Sequence, residues 1–208
     1  MKRNLILLAS AVLLLTSCEK ARQAKESYNN ISKLSAAGEK MTATLDEAKV
    51  QREEREKRGD TLAMPYKQLE QYLPAEVSGY TAEAPTGMSQ KTAGMSISTA
   101  EREYRQGAET VKVSVIDYNG AHDLYQGAAA IFALGMERED DEQIMGPANL
   151  DVKGVQGMST FYKKDGRAEM SVAAGGRFLI TLNATKQKDM ELLKSVAKSM
   201  DLEKLAEL

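Results

Sequence analysis

The chain has 208 residues, 28 basic against 30 acidic side chains, no tryptophan and a single cysteine. A net charge of −2 with no basic cluster argues against nucleic acid as a partner, because that binding rests on concentrated positive charge. The 5% aromatic content argues against a stacking platform for bases or a tryptophan shelf for sugars, and one cysteine excludes a disulfide framework.

The first elements are Lys2 and Arg3, then an apolar run from Leu5 to Leu15, then Leu15-Thr16-Ser17-Cys18. The run is about half the roughly 20 residues that a membrane-crossing helix needs. The order basic, apolar, small, cysteine is that of a cleaved export signal. Residues 15–18 resemble the lipobox of bacterial lipoproteins. That resemblance implies removal of a signal peptide over 1–17, acylation of Cys18 and a lipid-anchored place in the bacterial cell envelope. Glu19 stands where aspartate tends to mark inner-membrane retention in that group. The expectation therefore leans to the outer membrane, facing the periplasm. No later stretch is apolar for long enough to span, so the mature chain is expected on the membrane rather than in it.

Residues 18–60 read as a helical stalk, rich in Ala, Glu, Lys, Arg and Gln and free of proline. Ala24, Tyr28, Ile31, Leu34, Met41, Leu45 and Ala48 form a narrow apolar stripe. Gly38 is a place for a bend. Lys57 and Arg58 suit a helix C-terminus and Gly59 suits its stop. The charge run from Gln51 to Arg58 reads as a solvated helix face. The stalk is either a spacer or docking helix, or a means of self-association. Ser35, Gly38 and Thr42 interrupt any strict coiled-coil seam.

Residues 61–208 read as one α+β globular domain. Met64 to Pro74 is a short helix with Pro65 in its first turn and Leu69, Tyr72 and Leu73 inward. Thr99–Arg105 and Val111–Asp117 alternate as strands, the valines sharing one face. Residues 121–136 switch to helical spacing, with Ala121, Leu124, Tyr125, Ala128, Ile131 and Phe132 expected inward. Strands near 157–163 and 167–173 flank the turn signal Asp165-Gly166. Gly175-Gly176 turns into Arg177–Leu182, apolar on both sides over its middle and so expected to be central. Asp189 starts a terminal helix with Leu192, Leu193, Val196 and Met200 inward, and Asp201 starts a last turn with Leu202, Leu205 and Leu208. The sum is an antiparallel β-sheet covered by helices and preceded by the stalk.

Tyr66-Lys67-Gln68-Leu69, Leu73-Pro74, Gly79-Tyr80, Ala100 to Tyr104, Val113 to Tyr118, Gly176-Arg177-Phe178 and Leu202 to Leu205 follow one another as in a group of uncharacterised bacterial lipoproteins. Residues 64–208 resemble that group, which implies an envelope location and brings no activity with it. The strand order is also similar to the αβα sandwich of PsbP and Mog1 proteins, whose members mostly bind partners; fold alone does not fix function.

Few residues invite chemistry. His122 is the only histidine and has no second histidine or free thiol to join it, so it reads as a surface residue at a helix start. Glu137 to Glu142 could attract a hard cation but lacks the spacing and glycine of an EF-hand loop, and reads as a solvated loop. The methionines are dispersed as core and loop filler rather than clustered for copper. No cofactor and no metal is expected. Arg102, Asp117, Tyr118 and Arg177 are the polar residues worth following as ligand contacts. Asp117 ends a face of valines, either as a strand terminus or as the partner of an arginine beside a cleft. No serine sits in a GxSxG elbow. The expectation is a lipid-anchored binding module, not an enzyme, whose partner is another envelope protein or a small ligand. The alternatives are a spacer that oligomerises through its stalk and a carboxylate-based enzyme, a hydrolase or another.

Overall fold

The computed structural model describes residues 35–208. By contacts the chain divides into two units, 1–40 and 41–208; of the first only residues 35–40 are described, and they are helical. Cys18 and the signal segment lie outside the described residues.

Helix α1 covers residues 35–57, and Gly38 lies within it without ending it. Its stop follows the sequence: Gly59 has φ +79°, Gly59 N–H donates to Glu56 at 3.0 Å and Asp60 N–H donates to Arg55 at 2.9 Å. These are the paired bonds of a glycine-terminated helix, and they satisfy carbonyls that would otherwise be orphaned. Residues 41–57 belong to the compact unit, so that unit begins twenty residues before the boundary drawn at 60/61 from composition. After α1 the chain reaches α2 (Tyr66–Leu69), which continues as a 3₁₀ turn over Glu70–Tyr72.

The sheet is antiparallel throughout. Its strands are β1 (Thr81–Ala82), β2 (Thr86–Thr92), β3 (Met95–Gln106), β4 (Glu109–Gly120), β5 (Arg138–Glu139), β6 (Gln143–Pro147), β7 (Val155–Tyr162), β8 (Arg167–Ala174) and β9 (Phe178–Ala184). They run in the order β1-β3-β4-β9-β8-β7-β6-β5, with β2 also on β3, so the last strand is central as its composition demands. Helix α3 (His122–Ala133) joins the two halves, and α4 (Glu191–Ser199) and α5 (Leu202–Glu207) close the chain.

Helices lie on both faces. Val111, Val113 and Val115 of β4 and Phe178, Ile180 and Leu182 of β9 point to one side and are fully buried with Leu69, Leu193 and Leu205. Each such side chain contributes about 1.5–3 kcal/mol on leaving water. The other side carries a smaller cluster of Ala48, Tyr125, Ala129 and Ala173, which joins α1 and α3 to the sheet.

Three expectations change. Leu124 and Ile131, expected inward, face solvent, while His122, Tyr125, Ala129 and Ala133 are buried. A helix of mostly apolar residues has no unique inward stripe in its sequence, and the small alanines let it approach the sheet closely. His122 is therefore buried rather than on the surface. The run Glu137 to Glu142, expected as a solvated loop, enters a β5–β6 hairpin in which β5 is the edge strand, with Asp140 Oδ1 accepting from the N–H groups of Glu142 and Gln143 at 2.9 Å each.

Candidate functional site

The site is built where four chain segments meet at one end of the sheet: the end of α1, the strap 59–65, the end of β4 and the start of β9. Asp117 is the fourth residue of the face Val111, Val113, Val115, so alternation points it into the core beside Phe178, its neighbour across the strands. It is fully buried. Arg177 precedes β9 and reaches back to it, Nε donating to Oδ1 at 3.0 Å and Nη2 to Oδ2 at 2.5 Å. The N–H of Asn119 donates to Oδ1 at 2.9 Å and that of Met64 to Oδ2 at 2.7 Å. Each carboxylate oxygen thus accepts two hydrogen bonds, which uses all four lone-pair directions.

The third arm of Arg177, Nη1, donates to Asp60 Oδ2 at 2.8 Å. Asn119 Nδ2 faces the strap, near Asp60 Oδ1 at 2.9 Å and the carbonyl of Leu62 at 3.1 Å. Arg55 completes the clasp from α1: Nε donates to Asn119 Oδ1 at 2.8 Å, Nη1 to the carbonyl of Gly175 at 2.9 Å and Nη2 to that of Gly176 at 3.3 Å. Burial disfavours the charge on Arg177, but its bonds to Asp117 and Asp60 outweigh that and raise its pKa. Arg55 has no such carboxylate in contact. Burial and the neighbouring Arg177 lower its pKa, with Asp60 and Asp117 opposing.

The Gly175-Gly176 turn lets α1 come this close. Both glycines have positive φ, +59° and +63°, and a Cβ on Gly176 would stand 2.6 Å from Gln51 Oε1 and 3.2 Å from Ala48 Cα.

Beside the clasp a groove of about 560 Å³ opens between α1, the strap, the tip of the β2–β3 hairpin and the start of α3. Leu62, Met95 and Leu124 form its apolar rim and are about half exposed; Arg52, Glu56 and Asp123 bring charges to its walls. Asn119 and His122 also line it. Both ring nitrogens of His122 are buried without a hydrogen-bond partner. Burial, then Arg52 and Arg55, push the imidazole pKa below its usual value, against smaller opposing effects of the Gly176 backbone and Asp123.

Of the four residues followed from the sequence, Asp117 and Arg177 meet. Tyr118 points to the opposite face, packing against the cluster of Ala48 and Tyr125. Arg102 lies further along β3, where Nη1 donates to the carbonyl of Pro74 at 3.0 Å. Nothing in the local pattern selects Arg55, Asp60 or Asn119: Arg55 sits in a run of alternating charge, and its burial depends on a turn 120 residues away. The described residues contain no group of three or more His, Cys, Asp or Glu placed to hold a metal ion. No helix among them is long and apolar enough to cross a membrane.

No protein-family model matches the chain, and neither does any curated protein. Among solved structures, the chain is similar to an uncharacterised protein from Mycobacterium smegmatis, at 9% identity and a TM-score of 0.32 over 65% of this chain and 94% of that one.

Proposed function

We propose that the chain is a lipoprotein of the bacterial cell envelope, held through acylated Cys18 in the outer membrane and facing the periplasm, whose α+β domain is a binding module. The groove beside the clasp is its recognition site. Its apolar rim of Leu62, Met95 and Leu124 suits an apolar group, and Arg52, Glu56 and Asp123 suit polar groups flanking it. Anchoring confines the domain to the membrane surface and raises its effective concentration toward partners there.

The observation that carries binding over carboxylate chemistry is the state of Asp117. With two hydrogen bonds on each oxygen and Arg177 alongside, it has no lone pair to offer a substrate. The clasp then serves as the rigid floor against which the groove is shaped.

Photo-crosslinking in cells tests this. A benzophenone residue at Met95 should give a discrete adduct that is absent when the same residue replaces Lys188, and that weakens when Cys18→Ala removes the anchor. The same adduct from both positions, or none from Met95, overturns the reading.

A further inference from the structure

Helix α1 holds to the rest of its unit with little apolar burial. Over residues 41–57 only Ala48 and Arg55 are buried, and Ala48 is the one that enters a hydrophobic cluster. The main core, on the other face of the sheet, takes no residue from this stretch. The hold is largely polar. It consists of the three bonds of Arg55, the bond from Gln156 Nε2 to Thr44 Oγ1 at 2.8 Å, and Arg52 Nη1 3.9 Å from Asp123 Oδ1. A helix held in this way opens at lower cost than the core strands.

His122 lies at this interface. It is 5% exposed, its ring is stacked on that of Tyr125 with centroids 6.2 Å apart, and neither ring nitrogen makes a hydrogen bond to a described residue. The groups around it favour a neutral ring. Arg52 and Arg55 act on it from α1, while Glu56, in the same groove, is engaged by Arg52 at 2.8 Å. Asp60 of the strap and Asp117 of β4 are both held by Arg177. On its own helix Asp123 is exposed and opposes the arginines only weakly, and burial keeps the Tyr125 phenol neutral. The Gly176 backbone also opposes them, but its carbonyl already accepts from Arg55.

We propose that the packing of α1 on the sheet is an acid-sensitive latch: a proton taken up by His122 places a third cation beside Arg52 and Arg55, and α1 lifts away while the main core stays folded. In the open form the imidazole meets water and regains an ordinary pKa of about 6.5. In the closed form burial and the two arginines hold it lower. The open form therefore binds the proton first. Each pH unit below about 6.5 shifts the balance toward it by up to about tenfold, until the closed form titrates too. Arg52 and Glu56 form one wall of the groove, so opening dismantles it. That consequence rests on the groove as the recognition site; the latch does not.

Two measurements on the full chain test the latch, and neither needs a ligand. Amide exchange followed by mass spectrometry, divided by the intrinsic rate at each pH, gives the protection of residues 41–57 and of β9. At every pH α1 should be at least about tenfold less protected than β9, because it opens without the core. Between about pH 7.5 and pH 5.5 its protection should fall several-fold, and His122→Leu should remove that fall. The single histidine of the chain also gives one imidazole signal in proton NMR, and its titration midpoint should lie below about 6.5. This second measurement needs no variant, so it decides the matter even if His122→Leu does not fold. Protection of α1 equal to that of β9 overturns the proposal, since α1 then opens only with the whole domain. So does α1 protection that is the same at both pH values, a fall that persists in His122→Leu, or an imidazole that titrates at about 6.5 or above.

Discussion

Arg55 Nε donates to Asn119 Oδ1 at 2.8 Å in a buried setting, and this bond ties the last turn of α1 to the end of β4 across 64 residues. The same guanidinium holds both carbonyls of the Gly175-Gly176 turn. What composition marks as a solvated stalk end is thus a structural corner of the domain. Arg55→Ala leaves one amide oxygen and two carbonyls without this donor, and should cost about 2–4 kcal/mol, given that hydrogen bonds to charged groups are worth roughly 1.5–3 each and some rebinding to water follows. Arg52→Ala, whose bridge to Glu56 is on the surface, should cost less than about 1 kcal/mol. Urea unfolding of both variants checks the contrast; equal losses would deny Arg55 its role.

Asp117→Asn keeps the shape and removes the charge. Arg177 would retain only Asp60 as a carboxylate partner, and Asp60 is partly exposed. Breaking one side of a buried pair typically costs about 3–5 kcal/mol. Arg177→Met should cost a similar amount, and the double variant less than the sum of the two. A double-mutant cycle by urea unfolding measures that coupling; strict additivity would mean the two residues act independently.

Truncation tests the boundary. A chain beginning at Thr61 lacks Ala48 and Arg55, and so uncovers Tyr125 and Ala173 and frees Asn119. It should unfold at markedly lower urea than a chain beginning at Met41 and bind a hydrophobic dye. Matching midpoints for the two chains would restore the boundary to residue 60.

The legible parts of the fold were those where a local rule and the tertiary context agree. The valines of β4 alternate because one side meets the core, Gly59 stops α1 because only it accepts φ +79° readily, and the double glycine before Arg177 marks a tight turn. Leu124 and Ile131 misled because α3 is apolar on every side, and period alone cannot choose among its faces. Asp117 and Arg177 were visible as oddities, one ending a valine face and one starting a central strand. Their saturation by Met64, Asn119 and Asp60 was not visible, since backbone donors carry no sequence signature. The buried clasp is assembled from segments up to 121 residues apart, and nothing in the local pattern of Arg55 distinguishes it from Arg52.

Gly176→Ala should reveal how closely α1 packs. Its φ of +63° is strained for alanine, and the added methyl group would also press on the backbone of Ala48. Gly107 offers the comparison, with φ +59° and nothing within 4 Å of an added Cβ. Alanine at Gly107 should cost about 1 kcal/mol from backbone conformation alone. Alanine at Gly176 should cost about 1–3 kcal/mol more, because overpacking is added. Thermal unfolding of the two variants gives the difference directly, and equal losses would mean that α1 yields freely.

His122 makes stability depend on pH in a stated direction. Its pKa is lowered in the folded chain, first by burial and then by Arg52 and Arg55. The unfolded chain, with an ordinary histidine pKa of about 6.5, therefore binds a proton before the folded one does. Above about pH 7 both are neutral and the group contributes no pH dependence. As pH falls below about 6.5, stability is lost at up to about 1.4 kcal/mol per pH unit until the folded pKa is reached, below which the loss is complete. His122→Leu removes both this titration and two buried nitrogens that lack partners. Its advantage over the wild type in urea midpoint should therefore be larger at about pH 5.5 than at about pH 7.5. Parallel pH profiles for the two proteins would show that the imidazole is protonated in place at no cost, contrary to its position between α1 and the sheet.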